Sequence, residues 1–82
     1  MRMNPIYPQE ARRRGIEGVV EISFLITREG RTADLRVLHA EPGTTFVRAA
    51  LEAVRRWRFT PPQKDGRPVA VRALQTIRFQ LR

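Results

Sequence analysis

Val19-Val20-Glu21-Ile22-Ser23-Phe24-Leu25-Ile26 sets Val20, Ile22, Phe24 and Ile26 on one side of the chain and Glu21 and Ser23 on the other. Period-two alternation is what a half-buried strand requires, because successive side chains leave opposite faces. Arg28-Glu29-Gly30-Arg31 follows, with Gly30 placed to take the left-handed conformation of a short hairpin loop. A second strand is expected through Ala33, Leu35 and Val37, antiparallel to the first, until Glu41-Pro42-Gly43 breaks it.

Beyond that break, Thr44 or Thr45 is expected to cap a helix beginning near Phe46. Phe46, Ala50, Val54 and Trp57 recur at helical spacing, and Val47, Leu51 and Ala53 widen them into a broad apolar stripe that must cover something. Arg48, Glu52 and Arg56 stand four residues apart on the opposite side and read as a solvated ladder of ion pairs. Pro61-Pro62 reads as the helix stop. Asp65-Gly66 is a turn signal leading into Arg67 to Leu81, the longest strand candidate. Its odd positions Val69, Val71, Ala73, Ile77, Phe79 and Leu81 are apolar, whereas Arg72, Thr76, Arg78 and Gln80 alternate with them. Leu74 and Gln75 break the two rows, which marks either a bulge or a place where a partner reads the strand.

On the N-terminal side, Asn4-Pro5-Ile6-Tyr7-Pro8 carries two prolines in five residues and reads as a semi-rigid extended arm over residues 1–7. Pro8 suits the first turn of a short helix through Gln9, Glu10, Ala11 and Arg12 to Arg14, closed by Gly15, with acid early and base late as the helix dipole favours. The expected order is therefore α-β-β-α-β. It predicts an α+β fold: a three-stranded antiparallel sheet, one long helix packed on one face, and a short N-terminal helix. If all neighbours are antiparallel, the first strand is central and the last is an edge. With 82 residues, room exists for one such core, so residues 1–82 are read as a single domain.

The composition narrows the function. No stretch approaches the roughly 18 apolar residues of a membrane span, and the absence of cysteine excludes disulfides and thiolate metal sites. His39, the single histidine, has no carboxylate or cysteine at a metal-ligand spacing. The eight carboxylates are scattered, with no pair on an apolar face to divide acid and base roles, and no glycine-rich loop precedes a helix. These absences speak against an enzyme and imply no cofactor. The formal charge of +8 is almost wholly arginine, Lys64 being the single lysine, which makes an anionic partner plausible. Nucleic acid is the first candidate, since Arg12-Arg13-Arg14 and Arg55-Arg56 with Arg58 lie near Tyr7, Trp57 and Phe59. Against specific recognition, Trp57 falls on the core stripe, only Tyr7 looks free to stack, and arginine is simply favourable at helix C-termini.

Tyr7-Pro8 followed by Ala11 and Arg12, then Gly15-Ile16-Glu17-Gly18-Val19, resembles the YPxxAR and GIEGxV opening of TonB C-terminal domains. The likeness continues through Phe24, Ile26, Gly30-Arg31, Val37-Leu38, Phe46 and Ala49-Ala50. Arg55-Arg56-Trp57-Arg58-Phe59 with Pro61 is its most distinctive part, and Gly66-Arg67-Pro68-Val69 ends it. Nearly the whole chain is covered.

The resemblance implies a non-enzymatic periplasmic domain that captures a short extended peptide, the TonB box of an outer-membrane transporter, by adding it to the sheet as a further strand. In that family the domain hangs from an inner-membrane anchor through a proline-rich spanning segment and is coupled to a proton-driven motor complex. The 82 residues contain neither, so alone they are expected not to transduce energy. An edge strand offers unpaired N–H and C=O groups to such a peptide. The expected contacts are Val71, Arg72, Ala73, Leu74, Gln75, Thr76, Ile77 and Arg78, with Arg72 and Arg78 facing acidic neighbours of the peptide. Asn4, Pro5 and Tyr7 of the arm complete the expected set; the family's arm usually reads Gln-Pro, and Asn4 keeps the amide on a side chain one methylene shorter. The same edge could serve a homodimer, and a self-associating TolA-like scaffold of the cell envelope is the alternative reading.

Overall fold

The computed structural model describes residues 1–81. Its elements are α1 (Gln9–Arg13), β1 (Gly18–Ile26), β2 (Thr32–Glu41), α2 (Val47–Arg55), β3 (Gln63–Lys64), β4 (Arg67–Pro68) and β5 (Val71–Phe79). The main sheet has the order β2-β1-β5, antiparallel throughout, so the α+β architecture expected from the sequence is the one observed. The core lies on one face. Val20, Ile22 and Phe24 are at most 2% exposed, and they meet Phe46, Ala50, Val54 and Trp57 from the helix and its exit. Phe46 stacks on Phe79 at 4.4 Å between centroids and Phe24 meets the edge of Trp57 at 5.9 Å. Such pairs add about 0.5–1.5 kcal/mol each beyond their buried area.

Two glycines are required by close approach. A Cβ on Gly18 would collide with the Glu41 carbonyl and the Phe46 ring, and one on Gly30 with the Phe59 carbonyl; Gly30 also sits at φ +83° in the hairpin loop. Both positions let another segment press against the sheet where any side chain would hold it off.

Several local expectations are corrected. Neither Thr44 nor Thr45 caps α2: the helix has no side-chain cap, and the Thr44 carbonyl instead accepts from the Val47 N–H at 3.2 Å. Glu52 turns to Arg55 at 3.8 Å, so no Arg48-Glu52-Arg56 ladder forms. The helix ends at Arg55, ahead of Pro61, because the next residues are claimed by the β2 end: Arg58 bridges to Arg31, and the Phe59 N–H donates to the Gly30 carbonyl at 2.8 Å. The strand expected over Arg67–Leu81 is two pieces. Arg67–Pro68 folds back on Gln63–Lys64 around Asp65-Gly66, and β5 proper runs from Val71 to Phe79.

Ser23, expected on the solvent side, is 7% exposed because the Arg72 side chain lies across it and donates to its Oγ at 2.6 Å. No bulge occurs at Leu74–Gln75, where β5 pairs with β1 without interruption. The irregularities are in β2, where one extra residue, Leu38, falls between the Glu21↔His39 and Ile22↔Val37 pairs, and another between Ser23↔Arg36 and Leu25↔Ala33. Asp34 occupies that second bulge at φ +48°. The bulges break the simple alternation read for β2, and Val37 is 39% exposed.

Candidate functional site

Which backbone groups β5 presents outward follows from the hairpin. The Thr27 N–H donates to the Arg31 carbonyl at 2.8 Å, so Thr27 turns toward the second strand of the hairpin. Antiparallel strands alternate the direction of their backbone groups residue by residue, and β1 carries no extra residue. Ile26, Phe24, Ile22 and Val20 therefore turn toward β5, where their partners are Val71, Ala73, Gln75 and Ile77. Those four spend their N–H and C=O inward. Arg72, Leu74, Thr76 and Arg78 direct theirs off the sheet edge. The Gln75 side-chain amide donates to the Thr76 carbonyl at 3.1 Å, as an outward carbonyl permits.

The side chains divide into two rows. Ala73, Gln75, Ile77 and Phe79 share the core face, with Ile77 and Phe79 buried. Arg72, Leu74, Thr76 and Arg78 lie on the other, where Leu74 is 59% exposed. Arg72 is already engaged: its guanidinium pairs with the Asp34 carboxylate and reaches the Asp34 carbonyl at 3.2 and 3.3 Å, spanning the sheet from β5 to β2. Arg36 joins the same carboxylate at 2.9 Å. Arg78 is exposed and makes no ion pair among the described residues.

The N-terminal segment runs between α2 and β5. α2 packs over β2 and β1, and this segment reaches the core face of β5 through Arg2 and Tyr7. The Met3 carbonyl accepts from Trp57 Nε1 at 2.8 Å, and Arg2 lies over the Trp57 ring while donating to Gln75 Oε1 at 3.1 Å. Asn4 and Pro5 face Ala49 and Ala53 of the helix. Tyr7 packs edge-on against Phe46 and Phe79 at 5.5 and 5.7 Å, and its hydroxyl donates to the Ile16 carbonyl. It is not free to stack on a base. Burial pushes the Tyr7 phenol above its ordinary pKa of 10.0, with Glu17 adding to the shift and Arg12, whose guanidinium lies over the ring, opposing it. Tyr7 and Val71–Arg78 are thus joined through Phe79 and the sheet, whereas Asn4 and Pro5 sit toward the helix. Arg2 and Asp34 escaped the sequence reading. Nothing marks Arg2, but an aspartate inside a strand pattern is a signal for irregular backbone.

Among the described residues, no group of histidine, aspartate and glutamate could hold a metal ion, and no helix is long and apolar enough to cross a membrane. What the geometry offers is a surface: a nine-residue strand edge with regular outward hydrogen-bonding groups.

Residues 3–81 match the family described as Gram-negative bacterial TonB protein C-terminal. The chain is 40% identical to Protein TonB of Pseudomonas aeruginosa over 99% of its own length and 24% of that protein's. It is 38% identical to Protein TonB of Escherichia coli over 93% of its own length and 31% of that protein's. The chain thus spans about a quarter to a third of these curated relatives. The solution structure of the Pseudomonas aeruginosa TonB C-terminal domain superposes with a TM-score of 0.88 at 38% identity, covering 99% of this chain and 82% of that one. A Vibrio anguillarum TonB2 structure superposes with a TM-score of 0.75 at 34% identity, covering 96% and 76%. With the family match spanning residues 3–81 and relatives 38–40% identical over nearly its full length, the chain belongs to the TonB C-terminal domain family.

Proposed function

We propose that this chain is the periplasmic, transporter-engaging part of a TonB-type energy transducer, and that it works as one folded unit with residues 1–7 as its arm. It does no covalent chemistry. Its task is to hold the TonB box of an outer-membrane transporter while force from an inner-membrane motor, carried by segments outside these residues, is applied to the complex. The observation that carries this reading is the uninterrupted register of β5 against β1, which leaves the N–H and C=O groups of Arg72, Leu74, Thr76 and Arg78 in a regular outward row. An extended peptide pairs with that row by backbone hydrogen bonds, and side-chain pockets on either face select its sequence. Leu74 and Arg78 offer an apolar and a cationic contact on the face opposite the helix, while Val71 and Ala73 offer apolar contacts on the core face.

The same row accepts a second copy of the chain, so we also propose that a homodimer paired through β5 competes with the peptide. Titrating a synthetic TonB-box peptide while following mass in solution tests both. The peptide should bind with shifts concentrated in β5 and reduce any dimer present. Binding that is retained when the edge is closed by Thr76→Pro in a folded protein would exclude strand addition.

A further inference from the structure

Besides the sheet edge, the described residues form concave surfaces that the fold itself leaves unfilled. Between the N-terminal segment and α2 lies a groove of about 500 Å³, within the range of roughly 300–1,000 Å³ typical of ligand sites. Ala49 and Ala53, one helical turn apart, give it a floor of methyl groups, and the Pro5 ring forms part of the opposite wall. Ile6, at its margin, is 79% exposed. A large apolar side chain held so far into water beside an apolar floor is the pattern of a contact surface, not of a core.

The charges around the groove are unbalanced. Arg48, Glu52 and Arg56 all line it, yet Glu52 is drawn to Arg55, which does not. Among the described residues neither Arg48 nor Arg56 makes an ion pair. Eight helical positions separate them, a rise of about 12 Å. An extended chain advances about 3.1–3.4 Å per residue, so carboxylates four residues apart in it stand about 12–14 Å apart. Guanidinium groups are weakly hydrated and match carboxylates with two parallel hydrogen bonds.

We infer that this groove is a second peptide-docking site, separate from the β5 edge, that takes an extended segment of a partner protein. Its apolar side chains fill the floor over Ala49 and Ala53, and two acidic residues four apart face Arg48 and Arg56. No residue of β5 lines the groove, so the two sites can be occupied together.

The probe is acetyl-Glu-Leu-Pro-Leu-Glu-amide, whose central proline removes an N–H that strand addition would use. Backbone amide shifts of the isotope-labelled chain report where it sits. Perturbations are expected at Asn4, Ile6, Thr45, Ala49 and Ala53. Arg48→Gln/Arg56→Gln should weaken binding about tenfold, the worth of two exposed ion pairs, whereas Thr76→Pro should leave it unchanged. The lysine counterpart, acetyl-Lys-Leu-Pro-Leu-Lys-amide, should fail to bind. The inference is overturned if the acidic probe leaves the groove unperturbed at millimolar concentration, if the lysine probe binds equally well, or if shifts appear only in β5. These comparisons between probes use the unaltered chain and hold even if the double variant does not fold.

Discussion

The two edges of the sheet, β2 and β5, flank the same central strand and have been treated in opposite ways. β2 takes two extra residues against β1, holds Asp34 at φ +48°, and has its beginning bridged by Arg58. β5 keeps nine consecutive pairs with β1. Bulges and covering segments are how sheets stop an edge from recruiting another strand. The contrast teaches that exposure alone does not make an edge usable: regularity of the outward groups does. Only one edge here is regular along its whole length.

The largest expected effect comes from Trp57, which serves both edges. Its ring supports Phe24 in the central strand and its indole N–H fastens Met3 of the segment that covers β5. Trp57→Ala should cost about 3–5 kcal/mol, measured by denaturant unfolding, and should remove any difference between the edges by loosening what lies beneath both. A loss under about 1 kcal/mol would place this tryptophan outside the core.

A proline scan of adjacent positions tests the direction assigned to the β5 backbone. Gln75 spends its N–H on β1, so Gln75→Pro removes a ladder bond and leaves an acceptor unsatisfied, at a cost of about 1–3 kcal/mol. Thr76 directs its N–H outward, so Thr76→Pro should leave stability within about 1 kcal/mol while abolishing strand addition. Reversal of the two stabilities would mean that the alternation derived from Thr27 is out of phase by one residue.

On the β2 side, Asp34 has two roles that substitution can separate. Asp34→Ala loses the carboxylate shared by Arg72 and Arg36 and also places an alanine in left-handed backbone, for about 1–2 kcal/mol. Asp34→Gly loses the same ion pairs without the steric penalty and should cost less than about 1 kcal/mol. Thermal unfolding of the two proteins decides; equal losses would show that charge, and not the bulge, is what Asp34 supplies.

The difference between the edges was only half legible in the sequence. The alternation in Val19–Ile26 and the helical stripe from Phe46 to Trp57 gave the layers and the central position of β1, because burial of one face dictates both periods. The edge position of β5 followed from connectivity. Bulges did not follow: they depend on which residue slips out of register, and Leu74–Gln75 attracted that reading while Asp34 and Leu38 hold the actual irregularities. Ser23 keeps the face that alternation assigns to it, yet is buried there. Alternation assigns a residue to a face, but its burial there depends on Arg72, a residue 49 positions away. The contacts of Arg2 with Trp57 and Gln75 have no local pattern at all, since they arise from how an irregular segment drapes over a finished fold.

The smallest expected effect sharpens the comparison through pH. Tyr7 ties the N-terminal segment to the β5 side of the core by contact with Phe79, and its hydroxyl can donate to the Ile16 carbonyl only while protonated. Its pKa in the folded chain is raised above 10.0, chiefly by burial. A group whose folded pKa is raised lends stability that is fully present below the unfolded value and lost as pH rises through the folded one. Stability should therefore decline from about pH 10 upward, with the loss beginning around β5 and the N-terminal segment and not at β2. Tyr7→Phe has no phenol to ionise and no hydroxyl to donate, so it should be slightly less stable at neutral pH and lack this alkaline term. Amide exchange at pH 9 and below would be dominated by other openings, so unfolding midpoints of the two proteins across the alkaline range are the better measure. Parallel curves would show that the tyrosine hydroxyl takes no part in holding the segment over β5.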